Sequence, residues 1–167
     1  LGDSRAVLID HGRPVQLTQD HKPSLPCEKE RIERCGGKLY QTKFSLSTTG
    51  QSELGPCRGW PGRLSVSRTI GDIEAKDSSM GGIEGVVSYE PDIRSFKAIP
   101  GSVLILACDG IYDRLTNEEV AKIFSPERLD RTDRSLHQLA GDMVEECLRE
   151  AMTKDSYDNL SAISVMF

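Results

Sequence analysis

The chain has 167 residues, of which 37% are hydrophobic and 28% charged, with 21 Lys and Arg against 26 Asp and Glu for a net charge of −5. That length suits one domain with a real core, and the composition is too apolar for a disordered chain. The acidic balance leaves no basic footprint for nucleic acid, no apolar run reaches the length of a membrane span, and no signal-peptide pattern is visible.

In chain order, Leu1–Ile9 reads as a strand already running when the sequence opens. Residue 1 is Leu rather than Met, so the chain is expected to be a piece of something longer, with sequence missing upstream. Asp10-His11-Gly12-Arg13 reads as a tight turn and Pro14–Thr18 as the return strand of a hairpin. Ser24 is placed to cap a helix from about Leu25 to Cys35, with Pro26 in its first turn and Gly36-Gly37 as the stop. Lys38–Tyr40 can begin a short strand. Thr42–Gly62 is rich in Ser, Thr, Gly and Pro and reads as a surface loop or flap.

The alternation in Arg63–Arg68 suggests a strand, and a second is expected around Asp92–Phe96. Val103–Cys108 is six apolar residues without interruption, which predicts a strand buried on both faces. Thr116-Asn117-Glu118-Glu119 is a capping box, with Leu115 and Val120 as its hydrophobic staple, so a helix should run to about Phe124. Ser125–Asp133 is a charged connection. Leu136, Leu139, Ala140, Met143, Val144, Cys147, Leu148 and Ala151 mark a long amphipathic helix, and Leu160–Phe167 a final strand.

Two places carry chemistry. Asp109 ends the buried strand, where a carboxylate needs a partner and a metal ion is a common one. Asp113 follows at a spacing that returns it to the same side if the chain coils. Asp158-Asn159 puts a second carboxylate at a strand end. With Asp3, these aspartates can converge on hard divalent cations, for which Mg²⁺ and Mn²⁺ with their oxygen preference are the candidates. Two such ions can activate a water and clamp a phosphate. The opposing reading is that aspartates beside Gly or Asn are turn residues.

The five cysteines, Cys27, Cys35, Cys57, Cys108 and Cys147, are odd in number and unpaired in spacing, which reads as reduced thiols in an intracellular protein. Cys57–Arg63 has the C-x5-R spacing of cysteine-dependent phosphatases, but neither flank supplies the strand-to-helix turn that activates such a thiol. Arg5 and Arg68 are read as partners of core carboxylates, His21 as a loop hydrogen-bonder, and Cys108 as a small buried apolar residue.

The set Gly2-Asp3-Ser4-Arg5, Asp20-His21-Lys22-Pro23, Glu30-Arg31-Ile32 with Gly36-Gly37, Leu64–Asp72, Glu90-Pro91-Asp92, Leu106–Asp113 and Asp158-Asn159-Leu160-Ser161 closely resembles the metal-dependent Ser/Thr protein phosphatases of type 2C. The resemblance covers nearly the whole chain, with the motifs in family order. It implies an α+β fold in which two antiparallel β-sheets pack as a sandwich flanked by helices, a four-layer α-β-β-α arrangement whose amino-terminal part is absent from this chain. Residues 1–167 would then be the carboxy-terminal portion of one catalytic domain.

The resemblance also implies hydrolysis of phosphoserine and phosphothreonine by a water that bridges two divalent ions, Mg²⁺ or Mn²⁺, with no catalytic residues beyond the metal ligands. Asp109 resembles the bridging ligand and Asp158 the ligand of the second ion. Asp3, Asp109 and Asp113 resemble the set for a third, weaker metal. Asp72 closes the flap motif and is given no ligand role. The flap segment around Trp60 and Arg63 offers candidates for substrate contact. The implied partners are phosphorylated proteins, and the complete domain is expected to be a monomer in the cytoplasm or nucleus.

The family's Glu-Asp metal pair, its Asp-Gly-His-Gly-Gly motif and its phosphate-binding Arg are not found here. Ile9-Asp10-His11-Gly12 has the wrong order and sits in a hairpin turn. The chain alone is therefore expected to be inactive or nearly so. The alternative is a pseudophosphatase that keeps the fold as a binding or regulatory module.

Overall fold

The computed structural model describes residues 1–45, 52–129, 135–154 and 158–167. In chain order the strands and helices are β1 (Arg5–Asp10), β2 (Arg13–Gln16), α1 (Pro26–Arg34), β3 (Lys38–Tyr40), β4 (Lys43–Ser45), β5 (Ser52–Leu54), β6 (Arg58–Trp60), α2 (Ile73–Lys76), β7 (Val103–Ala107), α3 (Asp109–Tyr112), α4 (Asn117–Ile123), α5 (Pro126–Leu129), α6 (Leu136–Lys154) and β8 (Ala162–Met166). The chain divides into two compact units: Leu1–Asp3 with Asp20–Asp92, and Ser4–Gln19 with Ile93–Phe167.

The second unit is built on an antiparallel sheet of order β2-β1-β7-β8. The β1–β2 hairpin closes through His11 at φ 48° and Gly12 at φ 77°, the mirror-image turn whose twist matches that of paired strands. β1 begins at Arg5, so Leu1–Ser4 is not strand, contrary to the sequence expectation. Val7 pairs with Ile105 and Ile9 with Val103, which sets these four residues on one face. That face joins Ile111, Leu115, Val120, Phe124, Leu139 and Met143 in a continuous buried cluster.

The expectation that β7 is buried on both faces is corrected. Val103, Ile105 and Ala107 are buried, while Leu104 is half-buried and Leu106 39% exposed. Period two splits the apolar run between the helix-covered face and its opposite. The α4 capping box forms as read: the Thr116 N–H donates to Glu119 Oε2 at 2.8 Å and the Glu119 N–H to Thr116 Oγ1 at 3.2 Å. Its staple residues, Leu115 and Val120, both lie in the core. The charged connection contains the one-turn α5; residues 130–134 lie outside the described residues.

The first unit packs α1 over Val86, Val87 and Ala75 through Ile32. The residue at the N-cap of α1 is Leu25, without a side-chain cap bond, so Ser24 does not cap it; Pro26 at the first helical position fixes the start instead. The stop is as read. The Gly36 N–H donates to Glu33 O at 3.0 Å and the Gly37 N–H to Ile32 O at 2.9 Å, with Gly36 at φ 88°, which is a Schellman closure.

Lys38–Tyr40 is a short strand as read, and the expected flap holds strands where irregular chain was predicted: β6 pairs with β3, and β4 with β5. Three-residue strands are too short to show periodicity. Residues 46–51 of the flap lie outside the described residues. Arg63–Arg68 forms no strand beyond an isolated bridge between Arg68 and Ser88. Its backbone is used singly, with the Ser67 N–H on His21 O at 2.7 Å. No strand forms around Asp92–Phe96 either, where Ile93 is 88% exposed.

Candidate functional site

In the second unit, the end of β7 and the approach to β8 are bonded together. The Cys108 N–H donates to Ser161 O at 3.1 Å. The Cys108 thiol donates to Asn159 O at 3.3 Å and accepts the Ser161 N–H at 3.3 Å. Cys108 is thus half-buried and hydrogen-bonded, a correction to its reading as a buried apolar filler. Gly110 is buried against the same segment: a Cβ there would stand 2.3 Å from Asn159 O. Only glycine lets the two backbones approach this closely.

This junction carries Asp109 and Asp158. Each orients its carboxylate in the same way: Asp109 Oδ1 accepts the Gly110 N–H at 2.9 Å, and Asp158 Oδ1 accepts the Asn159 N–H at 2.7 Å. Asp109 is half-buried at the start of α3, and Asp158 is exposed. Asp113 closes α3, its N–H on Asp109 O at 2.7 Å, so the chain does coil after Gly110; its side chain is exposed. Asp158 lies in the loop before β8 rather than at the strand's first residue.

Asp3 belongs to the first unit, where its carboxylate pairs with the Lys22 ammonium. Among the described residues, no three His, Cys, Asp or Glu side chains form a group able to hold a metal ion. Asp109 and Asp158 still present carboxylate oxygens from two abutting segments, a donor chemistry that suits a hard divalent cation.

The first unit contains a polar centre that the sequence did not single out. Glu28, 1% exposed, accepts Arg68 Nε at 3.0 Å on Oε1 and also binds Arg31 and Ser67. Burial alone would raise its pKa, but the hydrogen bonds from Arg68, Ser67 and Arg31 outweigh burial and hold it at about 2. The same bond to Glu28 raises Arg68 above its ordinary value. Arg68 Nη1 also reaches Asp92 Oδ1 at 3.0 Å, and His21 Nε2 lies 3.2 Å from Asp92 Oδ2. The His21 bond, with help from Arg68, keeps Asp92 below its usual range.

Arg68 thus serves a core carboxylate, as read, and His21 is a buried hydrogen-bonder. Only the Glu28–Arg31 spacing of one helical turn hinted at this centre. Arg5 in the second unit lies 4.5 Å over the Tyr112 ring and donates to Asn117 Oδ1 at 2.9 Å.

Cys57 precedes strand β6 rather than a helix, so the C-x5-R segment lacks the helix N-terminus of a thiolate phosphatase. Burial raises the Cys147 thiol to about 11, which leaves it unreactive. Trp60 is 47% exposed and Arg63 exposed. His11 pairs with Asp10 at 2.6 Å on the hairpin turn. Asp72 stands before α2 with no side-chain cap bond.

Comparison with known proteins agrees with the motif set. The family described as protein phosphatase 2C matches residues 1–157. Protein phosphatase 1B from Mus musculus is 37% identical over 168 residues, which covers 99% of this chain and 37% of that protein. Protein phosphatase 1A from Homo sapiens is 36% identical over 169 residues, covering 99% of this chain and 38% of its own. The chain thus spans little more than a third of the length of these curated relatives.

A phosphatase from a pathogenic strain of Toxoplasma gondii superposes with a TM-score of 0.74 at 30% identity, over 100% of this chain and 46% of that one. A serine-threonine phosphatase 2C from Toxoplasma gondii gives a TM-score of 0.65 at 28% identity, over 100% and 52%. The α+β architecture with antiparallel sheets and helices is that of these phosphatases. On the family match over residues 1–157, the chain belongs to the protein phosphatase 2C family.

Proposed function

We propose that the protein containing this chain is a metal-dependent phosphatase acting on phosphoserine and phosphothreonine in proteins, and that residues 1–167 are the carboxy-terminal portion of its catalytic domain. The reading is carried by the protein phosphatase 2C match over residues 1–157. Asp109 and Asp158 would hold the principal Mg²⁺ or Mn²⁺ ions, with Asp113 and Asp3 as ligands of a further, weaker one. Bound there, the ions would supply water activation and charge neutralisation of the phosphate.

The chain's own contribution is positional. The Cys108 contacts to Asn159 and Ser161 hold the two carboxylate-bearing segments together. The Gly110 and Asn159 N–H groups fix the orientation of the two side chains. Preorganised ligands lose less entropy on binding a cation than mobile ones.

The chain alone is inactive or nearly so, because it holds only part of the carboxylate set. An intracellular location fits its five cysteines, none of them in a disulfide. The test is hydrolysis of a phosphothreonine peptide with Mn²⁺, with and without EDTA. It should be run on this chain and on a longer protein that carries it with the Glu-Asp pair and the Asp-Gly-His-Gly-Gly motif. Activity in the longer protein alone, abolished by EDTA and by Asp109→Ala, is expected. Inactivity of both would leave a binding or regulatory module with the phosphatase fold.

A further inference from the structure

The β3–β6 ribbon of the first unit has two unlike faces. Lys38 pairs with Trp60, Leu39 with Gly59, and Tyr40 with Arg58. Period two therefore puts Lys38, Tyr40, Arg58 and Trp60 on one face and Leu39 and Gly59 on the other. Leu39 packs against the Ile32 cluster, and a Cβ on Gly59 would lie 4.0 Å from Ile32 Cδ1. The opposite face lines an open groove of about 720 Å³, which Leu39, Thr42 and Arg63 also line.

The groove's chemistry runs against that of the whole chain. In a protein of net charge −5, it is lined by three cations, two aromatic rings and no acidic residue. Among the described residues, none of Lys38, Arg58 and Arg63 forms an ion pair with a carboxylate. Arg63 is held there against its own backbone preference, at φ 58°, a conformation that costs a non-glycine residue free energy. Two bonds enforce it: the Arg63 N–H donates to Gly59 O at 2.9 Å, and Arg58 Nη1 donates to Arg63 O at 2.8 Å.

We infer that this face binds an extended acidic segment of a protein partner, separately from any reacting phosphate. On antiparallel strands, diagonal neighbours such as Lys38 and Arg58 are about 7–8 Å apart. Alternate residues of an extended peptide repeat at about 6.6–6.8 Å. Acidic residues at alternate positions would thus meet both cations, while the Tyr40 and Trp60 rings give the intervening residues apolar surface. The inference deepens the phosphatase reading, on which it rests for its meaning, by naming acidic sequence around the phosphorylated residue as a substrate preference.

Trp60 is the only tryptophan in the chain and lines this groove, so its emission responds to binding there. The 167-residue chain should be titrated with a short peptide of alternating Asp and Glu residues that lacks Trp and Tyr. A Lys-rich peptide of equal length and a single-stranded oligonucleotide are the comparisons. A saturable emission change with the acidic peptide alone, weakened by salt, is expected. No saturable change, an equal response to the Lys-rich peptide, or tighter binding of the oligonucleotide overturns the inference.

Lys38→Glu combined with Arg58→Glu should weaken the acidic peptide about tenfold or more with unchanged far-UV circular dichroism. Lys38→Gln, a smaller change at an exposed position, should weaken it roughly threefold. Full affinity in a folded variant overturns the inference. The titration requires no catalysis. No binding of the acidic peptide by the unsubstituted chain, with intact hydrolysis in the longer protein, removes this inference alone, and binding without hydrolysis removes the phosphatase reading alone.

Discussion

Arg68 donates from Nε to the buried Glu28 carboxylate at 3.0 Å, forty residues away in sequence, and this bond centres the polar core of the first unit. Arg31 and Ser67 complete the shell around Glu28, and Asp92 balances Arg68 from its other side. A buried carboxylate so surrounded is satisfied in its ionised form and in no other.

Removing Glu28 takes the buried carboxylate away from two arginines. Glu28→Ala should destabilise the chain by about 3 kcal/mol, because Arg31 is left with carbonyl acceptors and Arg68 with Asp92 in place of the buried carboxylate. Urea unfolding at neutral pH measures this, and a loss below about 1 kcal/mol would contradict the network's role.

The same group sets an acid limit. The folded pKa of Glu28 is depressed to about 2 from an ordinary 4.5. Its contribution is therefore fully present above about pH 4.5 and is lost as pH falls toward about 2. The shift corresponds to about 3 kcal/mol. The stability difference between the parent chain and Glu28→Gln should be flat above about pH 5 and shrink below it; a difference constant down to about pH 3 would show that Glu28 is not held ionised.

Metal ions should stabilise the second unit. At about a hundred times the dissociation constant a bound ion contributes about 2.7 kcal/mol, or a melting shift of about 5 °C or more in a chain of this size. Asp109→Asn and Asp158→Asn should each lower the response to Mn²⁺ or Mg²⁺. A melting temperature unmoved by millimolar ion in the parent chain would count against a metal site.

Gly110→Ala tests the junction without touching a carboxylate. Its Cβ would stand 2.3 Å from Asn159 O, so one backbone must move. A loss of about 1–3 kcal/mol is expected, with a diminished melting response to Mn²⁺. A variant as stable and as metal-responsive as the parent chain would show that the close approach is dispensable.

Thr116→Ala removes the side-chain half of the α4 capping box and should cost about 1 kcal/mol, read as a shift in the denaturant midpoint. Restoring the acceptor as Thr116→Ser should recover most of it.

The elements legible in the sequence share one physical character: their signals are local. The Thr116–Glu119 box, the Gly36-Gly37 stop, the His11-Gly12 turn and the periodicity of α6 each operate within a few residues, so the sequence alone determined them. The motif set did the same for the family, since it lies in the residues themselves. Tertiary structure decided whatever depends on partners remote in sequence. β7 is apolar throughout, and only its neighbours determine that Leu106 is exposed while Ile105 is buried. Arg63–Arg68 alternates like a strand, yet its backbone bonds to His21 and Ser88 instead of a ladder. Neither the Glu28 centre nor the cationic face of the β3–β6 ribbon could be read locally, because burial and pairing, rather than residue type, make a carboxylate strongly acidic or set a lysine opposite a tryptophan.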